Sequence, residues 1–541
     1  MKAHKRVFRR LFLAFTMVLL ITGNIVQVYA CTAVYVGSDI SEDGTTIIAK
    51  SNDYQDVWGN YVTITERVEN TPGRVMPIDN DATVFTELPA TTYRYTSTPW
   101  MDSSTALNGL GKDATICSNE YGVMMVMSIT AFSNSAVLAA DPLVEHGISE
   151  FTAVDLVTCQ SATAREGTEK LLSLIDEYGS SEVNIALIAD QQETWYIEMY
   201  SGHQYAAVKL PADKVSVFGN EFLLQYASDY EEHIFSKDLE KLAVDKGFAV
   251  YGKNNELDLL ATYSGDEVVI NYSHLRTWMG HELLAPADYE DYKEDELYPL
   301  CFTPDKEVSL QEVMGIIRNR YEGTPYSPNE TGRGDVRVIG TDTALSVHIA
   351  QIYPDLPKEM ACVTWESTGP AIYGVFVPIS NAAASISEPY SRNQSAEQAG
   401  IFDTNNYPYY RFKELSTLCV EKDKHKVYGI PVKDYWHKAE AEMVKGMQAV
   451  LKNAEDLDQE TAAVYITEYC NRVQTQAFDD AGKLLNDVKW YMSRNSNTMK
   501  NGRNPETHEI IDELTEIDPM KVDLDASVYG IIPETPEPTR E

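Results

Sequence analysis

The chain is predicted to be an α+β protein with its strands mostly in the first two thirds and its helices gathered toward the C-terminus. Three observations carry this. Runs of β-branched and aromatic residues punctuated by turn residues recur at 31–49, 114–129 and 183–199. One well-signalled helix lies among them at 163–178. From Lys433 onward the apolar residues fall at helical spacing. With 44% hydrophobic residues in 541, there is ample material for a large core, and length alone allows about two to four domains.

The elements follow in order. Cys31-Thr-Ala-Val-Tyr-Val36 reads as a strand, Gly37–Gly44 as a turn and Thr45–Ala49 as the returning strand. Ala114–Cys117 and Val123–Ile129 form a second pair around Asn119-Glu-Tyr-Gly122. Thr163 with Glu166 is a capping box, Leu171, Leu172 and Ile175 form the apolar side, and Gly179 ends that helix. Val183–Ala189 and Glu193–Met199 make a third hairpin, and Val215–Phe218 is a short strand running into Gly219-Asn220. Leu310–Tyr321 reads as helix, Gly323–Gly334 as an exposed loop, and Met360–Glu366 and Ala371–Pro378 as strands. Trp436, Met443, Met447 and Leu451 mark one late helix, and a second spans roughly Gln459 to Met492.

The first thirty residues differ from the rest. Lys2, Lys5, Arg6, Arg9 and Arg10 precede the apolar run Leu11–Ile21, and Val28-Tyr29-Ala30 is a small-x-small cleavage site. This is the pattern of a secretory signal peptide. Its removal takes away five basic residues and no acids, so the formal charge of −38 becomes about −43. Such an acidic surface argues against nucleic acid as a partner. No later segment is long and apolar enough to span a membrane. Self-association remains open. The seven cysteines include no CxxC pair, and the six beyond Cys31 are expected to be buried thiols, not a disulfide framework. No HExxH, GxGxxG or phosphate-loop motif is present, so neither a cofactor nor a catalytic metal is expected. Arg333-Gly-Asp335, a tripeptide read by some adhesion receptors, is the kind of short match that arises by chance.

A cysteine directly after a cleavage site has two readings. One is a lipid-anchored surface binding protein acylated at Cys31. A lipobox, however, wants Leu at −3 and a small residue at −2, where this chain has Val28 and Tyr29. The other is a nucleophile whose own α-amine, freed by cleavage, is the base. That amine has a reference pKa of about 7.7–8.0 and sits on the same residue as the thiol. A hairpin returns Lys50 and Asp53 toward Cys31, where a cation lowers a thiol pKa and a carboxylate orients an amine.

The segments Cys31-Thr-Ala-Val-Tyr-Val-Gly37, Asp43-Gly-Thr45 and Ile48-Ala-Lys-Ser-Asn-Asp53 resemble the opening of the dipeptidase A/secernin family. Those are N-terminal-nucleophile (Ntn) hydrolases related to bile-salt hydrolases and penicillin V acylases. Asn119-Glu-Tyr-Gly-Val123, Trp195-Tyr-Ile-Glu198 with Ser201-Gly-His203, Val217-Phe-Gly-Asn220, Ser309–Met314 with Arg318 and Tyr321–Thr324, and Val375–Pro378 with Pro389-Tyr390 follow in register. The resemblance covers roughly residues 31–500. It implies a four-layer αββα Ntn-hydrolase sandwich over 31–430 and a helical C-terminal part over 431–500. The tail over 501–541 ends in the Pro- and Glu-rich run Pro533–Glu541 and is expected to be loosely ordered. The resemblance also implies catalytic roles: Cys31 as nucleophile, Asp53 on its amine, Lys50 at a position often Arg in relatives, and Asn220 as oxyanion amide. A second oxyanion donor is expected near Ser128 or Thr130, and Arg337 is a candidate for a late arginine. The expected function is an exported cysteine dipeptidase acting on small peptides through an acyl-thioester. An N-acyl amide acylase of the same fold is the alternative.

Overall fold

Six strands of one sheet and eight of another carry the molecule. The computed structural model describes residues 31–54, 57, 59–101, 114–265, 273–294, 296–395, 398, 401–421, 424–495 and 518–536; the leader, residues 1–30, lies outside them. In chain order the strands are β1 (Ala33–Val36), β2 (Thr46–Asp53), β3 (Thr63–Thr65), β4 (Tyr95–Pro99), β5 (Ala114–Asn119), β6 (Met124–Val126), β7 (Asn184–Ala189), β8 (Thr194–Met199), β9 (Tyr205–Lys209), β10 (Val215–Phe218), β11 (His233–Phe235), β12 (Ala344–Ile352), β13 (Cys362–Thr368) and β14 (Val377–Ser380). The first sheet runs β10-β1-β2-β12-β13-β14 and the second β11-β9-β8-β7-β6-β5-β4-β3. All of these pairings are antiparallel.

Strand alternation builds the layers. Val34, Val36, Ile47, Ala49, Val347 and Ile349 leave the first sheet outward, into a core shared with α3 (His274–Leu284), α4 (Leu310–Ile317), α6 (Ile430–Ala454) and α7 (Gln459–Arg494). Their alternates Ala33, Tyr35, Ile48 and Ala350 face the second sheet's Ile185, Leu187, Tyr196 and Val208, so the two sheets share one apolar interior. The second sheet's other face, with Met125, Ala186, Ile188, Trp195 and Ile197, is covered by α1 (Glu150–Thr158) and α2 (Ala164–Tyr178). Helix, sheet, sheet, helix is the expected αββα sandwich. The helical C-terminal region lies on its outer layer, where α7 packs beside β14.

Thr163 caps α2 through the Glu166 amide and Gly179 stops it. The hairpins at 33–53 and 184–199 form as read. Three expectations change. The returning strand does not stop at Ala49: β2 extends through Asp53 because β12 pairs with its second edge, Lys50 opposite His348. The strand expected over Ala371–Pro378 begins only at Val377, since the Ala371 and Gly374 carbonyls accept from Arg318 instead. The tail expected to be loose over 501–541 is ordered over 518–536. There Tyr529 is fully buried and its hydroxyl donates to Asp480, 3.0 Å away, while the Met520 amide donates to the Val427 carbonyl and Arg472 to that of Val528. The apolar and aromatic residues of this stretch find a groove beside α6 and α7, and their burial outweighs the local wealth of proline and acid.

Candidate active site

Cys31 stands at the head of β1, between two partner strands. Ala33 pairs with Lys50 on one side and with Phe218 on the other. Two residues earlier in these antiparallel registers, Cys31 falls opposite Asn52 and Asn220. The Ser51 amide donates to the Thr32 carbonyl at 2.9 Å, and the Thr32 amide to Ser51 Oγ at 3.0 Å, so the strand is held to its first residues. Lys50 shares the inter-sheet face with Ile48 and lies beneath the cysteine.

All four candidate residues are buried. Burial pushes the Cys31 thiol above its ordinary value. Lys50 opposes this, Asp53 adds to it through its charge, and a backbone hydrogen bond from Asp53 lowers it again. Lys50 Nζ has no hydrogen-bond partner among the described residues. Asp53 is raised by burial and pulled back chiefly by Arg337, whose guanidinium lies 3.1 Å from its Oδ2. Beyond that ion pair, neither Asp53 oxygen accepts a hydrogen bond among the described residues. The late arginine expected from the sequence therefore sits behind the carboxylate.

Arg276, on α3, is a site residue that sequence reasoning missed. Its fully buried guanidinium donates to the Cys31 carbonyl (2.6 Å), Thr32 Oγ1 (3.0 Å), Asn220 Oδ1 (2.9 Å) and Ser273 Oγ (3.3 Å). One planar fork thus ties the nucleophile's own residue to the amide across the strand. Two glycines make room for it. A Cβ on Gly280 would lie 2.2 Å from the Val217 side chain, and one on Gly219 would lie 2.8 Å from the Arg276 guanidinium. The signal was faint because α3 is buried on nearly every side and shows little polar–apolar alternation.

Asn220 Nδ2 donates to the Thr130 carbonyl at 2.7 Å. An amide nitrogen has a second hydrogen to offer. Thr130 itself contributes that carbonyl, and its buried hydroxyl has no partner among the described residues. Two residues before it, Ser128 adopts φ 73°, a left-handed conformation rare for a non-glycine residue. Its side chain hydrogen-bonds Glu150, a buried carboxyl raised by desolvation and drawn down by Lys50. Glu150 also accepts from Asn184, whose Oδ1 receives the Ile129 amide at 2.8 Å. A cavity of about 290 Å³ opens beside Asn220, walled by Phe132, Phe222 and Leu223 and bearing Glu221 and Asp258, with no Lys or Arg among the described residues that line it.

Elsewhere, Asp79, Asp81 and His146 are the one group among the described residues spaced to hold a metal. Asp79 already accepts from Thr83, the Val84 amide and His146. Arg333 of the adhesion-like tripeptide is paired with Asp335 in an exposed loop.

A buried cysteine thus stands at the head of a central strand of an αββα sandwich, with a cation, a carboxylate and an amide on the neighbouring strands and turn. The model of peptidase family C69 matches residues 30–433, and the chain belongs to that family. It is a hydrolase acting on peptide bonds. It is 30% identical over 366 residues to a probable dipeptidase B of Streptococcus pyogenes serotype M1, covering 65% of this chain and 72% of that one. It is 30% identical to a probable dipeptidase B of Lactococcus lactis subsp. lactis, over 65% of this chain and 74% of that one. A variant of the conjugated bile acid hydrolase from Clostridium perfringens aligns over 62% of this chain and 89% of that one, at 10% identity and a TM-score of 0.31, too loose to bear on the fold.

Proposed function

We propose that the chain is an exported cysteine dipeptidase in which cleavage after Ala30 makes Cys31 the first residue and the nucleophile. The observation that carries this is the convergence of Lys50, Asp53 and Asn220 on the head of β1, with Arg276 bridging Cys31 to Asn220. The freed α-amine takes the thiol proton, and the thiolate attacks the peptide carbonyl carbon. The second hydrogen of Asn220 Nδ2 stabilises the oxyanion. The α-ammonium, held by the unfilled Asp53 oxygens, returns the proton to the leaving amine. Water then hydrolyses the acyl-thioester by the same relay. Lys50 favours the thiolate electrostatically.

The family relatives named as dipeptidases support a dipeptide substrate. So does the cavity beside Asn220, where the described lining carries the carboxylates of Glu221 and Asp258: a free substrate ammonium suits it better than an uncharged N-acyl group. The alternative of an acylated Cys31 sits poorly with a sulfur buried at a strand head.

The test is the mass of the exported protein's N-terminus together with dipeptide hydrolysis by Cys31→Ala. A free N-terminal Cys31 and a dead variant are expected. A diacylglycerol-modified Cys31, or hydrolysis that survives the substitution, sinks the proposal. A leader-retaining variant, with Ala30→Arg blocking cleavage, is expected to fold and to hydrolyse nothing, because Cys31 nitrogen is then an amide.

A further inference from the structure

Glu198 lies on β8, in the second sheet, and is completely buried. Its carboxylate accepts four hydrogen bonds. Tyr196 Oη (2.6 Å), the Leu223 amide (2.8 Å) and the Leu224 amide (3.0 Å) donate to Oε1, and Tyr200 Oη (2.9 Å) donates to Oε2. The two amides belong to the segment that leaves β10 in the first sheet. That segment passes Asn220 beside Cys31, then crosses the gap between the sheets. Its residues Phe222 and Leu223 form a wall of the cavity next to Asn220.

We infer that Glu198 is a positioning residue for hydrolysis: its carboxylate pins the 220–224 segment across the two sheets and so fixes Asn220 and the cavity wall relative to Cys31. The inference rests on the nucleophile reading above. A buried carboxylate is costly unless its lone pairs are filled, and here two phenols and two consecutive backbone amides fill them. A carboxylate kept only for packing has no need to reach the other sheet. Asn220 is held at its near end by Arg276, Thr130 and Ser273, and Glu221 by Thr277 and His274. The Leu223 and Leu224 amides hold the far end of the segment to the other sheet.

Ionisation does not decide this contact. Burial pushes Glu198 up to about 7, against the pull of its four donors. The titratable groups facing it are Tyr196 and Tyr200 from its own strand and Tyr230 from the segment that follows, which in turn faces Cys301. When protonated, Glu198 can donate from Oε2 to the Tyr200 hydroxyl oxygen, which accepts as well as donates, and keep Oε1 for the two amides.

The experiment compares kcat and KM for a dipeptide across pH for wild type, Glu198→Gln, Glu198→Ala and Cys31→Ala, each exported from the full chain. Glutamine keeps an acceptor for the two amides without an ionisation, so Glu198→Gln should retain kcat within about tenfold of wild type at pH 8. Glu198→Ala should lose about 100-fold in kcat, the scale of a misplacement of roughly 1 Å. The acid limb of log kcat should have a slope of about one, from the α-amine, in wild type and Glu198→Gln alike. If Glu198→Ala does not fold, Glu198→Asp, too short to reach the two amides, takes its place and should lose kcat while Glu198→Gln keeps it. A Glu198→Gln kcat more than about tenfold below wild type, or a Glu198→Ala or Glu198→Asp kcat near wild type, overturns the positioning role. Hydrolysis by Cys31→Ala overturns the nucleophile reading instead, whatever the Glu198 variants do.

Discussion

Arg276→Met isolates the contact that spaces the nucleophile from its amide. The arginine is fully buried and makes charge-assisted hydrogen bonds to the Cys31 carbonyl at 2.6 Å and to Asn220 Oδ1 at 2.9 Å. Bonds of that kind contribute about 1.5–3 kcal/mol each, and losing both at the lower figure removes about 3 kcal/mol of positioning. If that loss falls on the transition state, kcat/KM drops by about 100-fold, and more at the upper figure. Stability should fall as well, because buried acceptors on Cys31 and Asn220 lose their donor, at about 1–3 kcal/mol for each group left unfilled. Relief of a guanidinium disfavoured by burial and by the charge of Arg337 offsets part of this, so the assay is run well below the variant's Tm. The assay is steady-state dipeptide hydrolysis beside thermal unfolding of the same preparation. A kcat/KM within about threefold of wild type, or a collapse in Tm that accounts for the lost activity, refutes the reasoning.

Other expectations follow from the same cluster. Lys50→Met should slow alkylation of Cys31 by iodoacetamide roughly tenfold at neutral pH, because the charge of Lys50 does most to hold the thiol down, ahead of the Asp53 backbone amide, while Lys50→Arg should keep most of the rate; equal rates in all three proteins remove that role. Glu182 tests the charge network behind Ser128. Burial and the neighbouring Glu150 push it up to about 8, so between about pH 4.5 and 8 the folded state holds a proton that the unfolded state has lost. Its stabilisation is present at low pH and disappears as pH rises through 8. Tm of wild type should therefore fall relative to Glu182→Gln over that window, and parallel Tm–pH curves would contradict the assignment.

Much of this site was legible in the chain because its parts are local. Cys31, Lys50 and Asp53 lie on one hairpin, and hairpin geometry alone brings them together. Asn220 was found through its short motif at the end of β10. Arg276 and β12 were not legible, for different reasons. Arg276 sits on a helix buried all round, so no amphipathic period marks it. Residues 344–352 lie at the centre of the first sheet with all nine positions buried, so the alternation that betrays a half-exposed strand is muted. The tail was misread because Pro and Glu dominate its last residues, whereas Met520 and Tyr529, the side chains that anchor it, are sparse.

The place of β1 sets a timetable for the molecule. The head of β1 lies in the interior of a sheet whose other strands are residues 46–53, 215–218, 344–352, 362–368 and 377–380. Loop closure over such separations is slow, and no shorter pairing completes the sheet. A polypeptide emerging N-terminus first must therefore keep the head of β1 waiting until residue 380 of its 541 has appeared. If Cys31 is the nucleophile proposed above, activity arrives late in assembly.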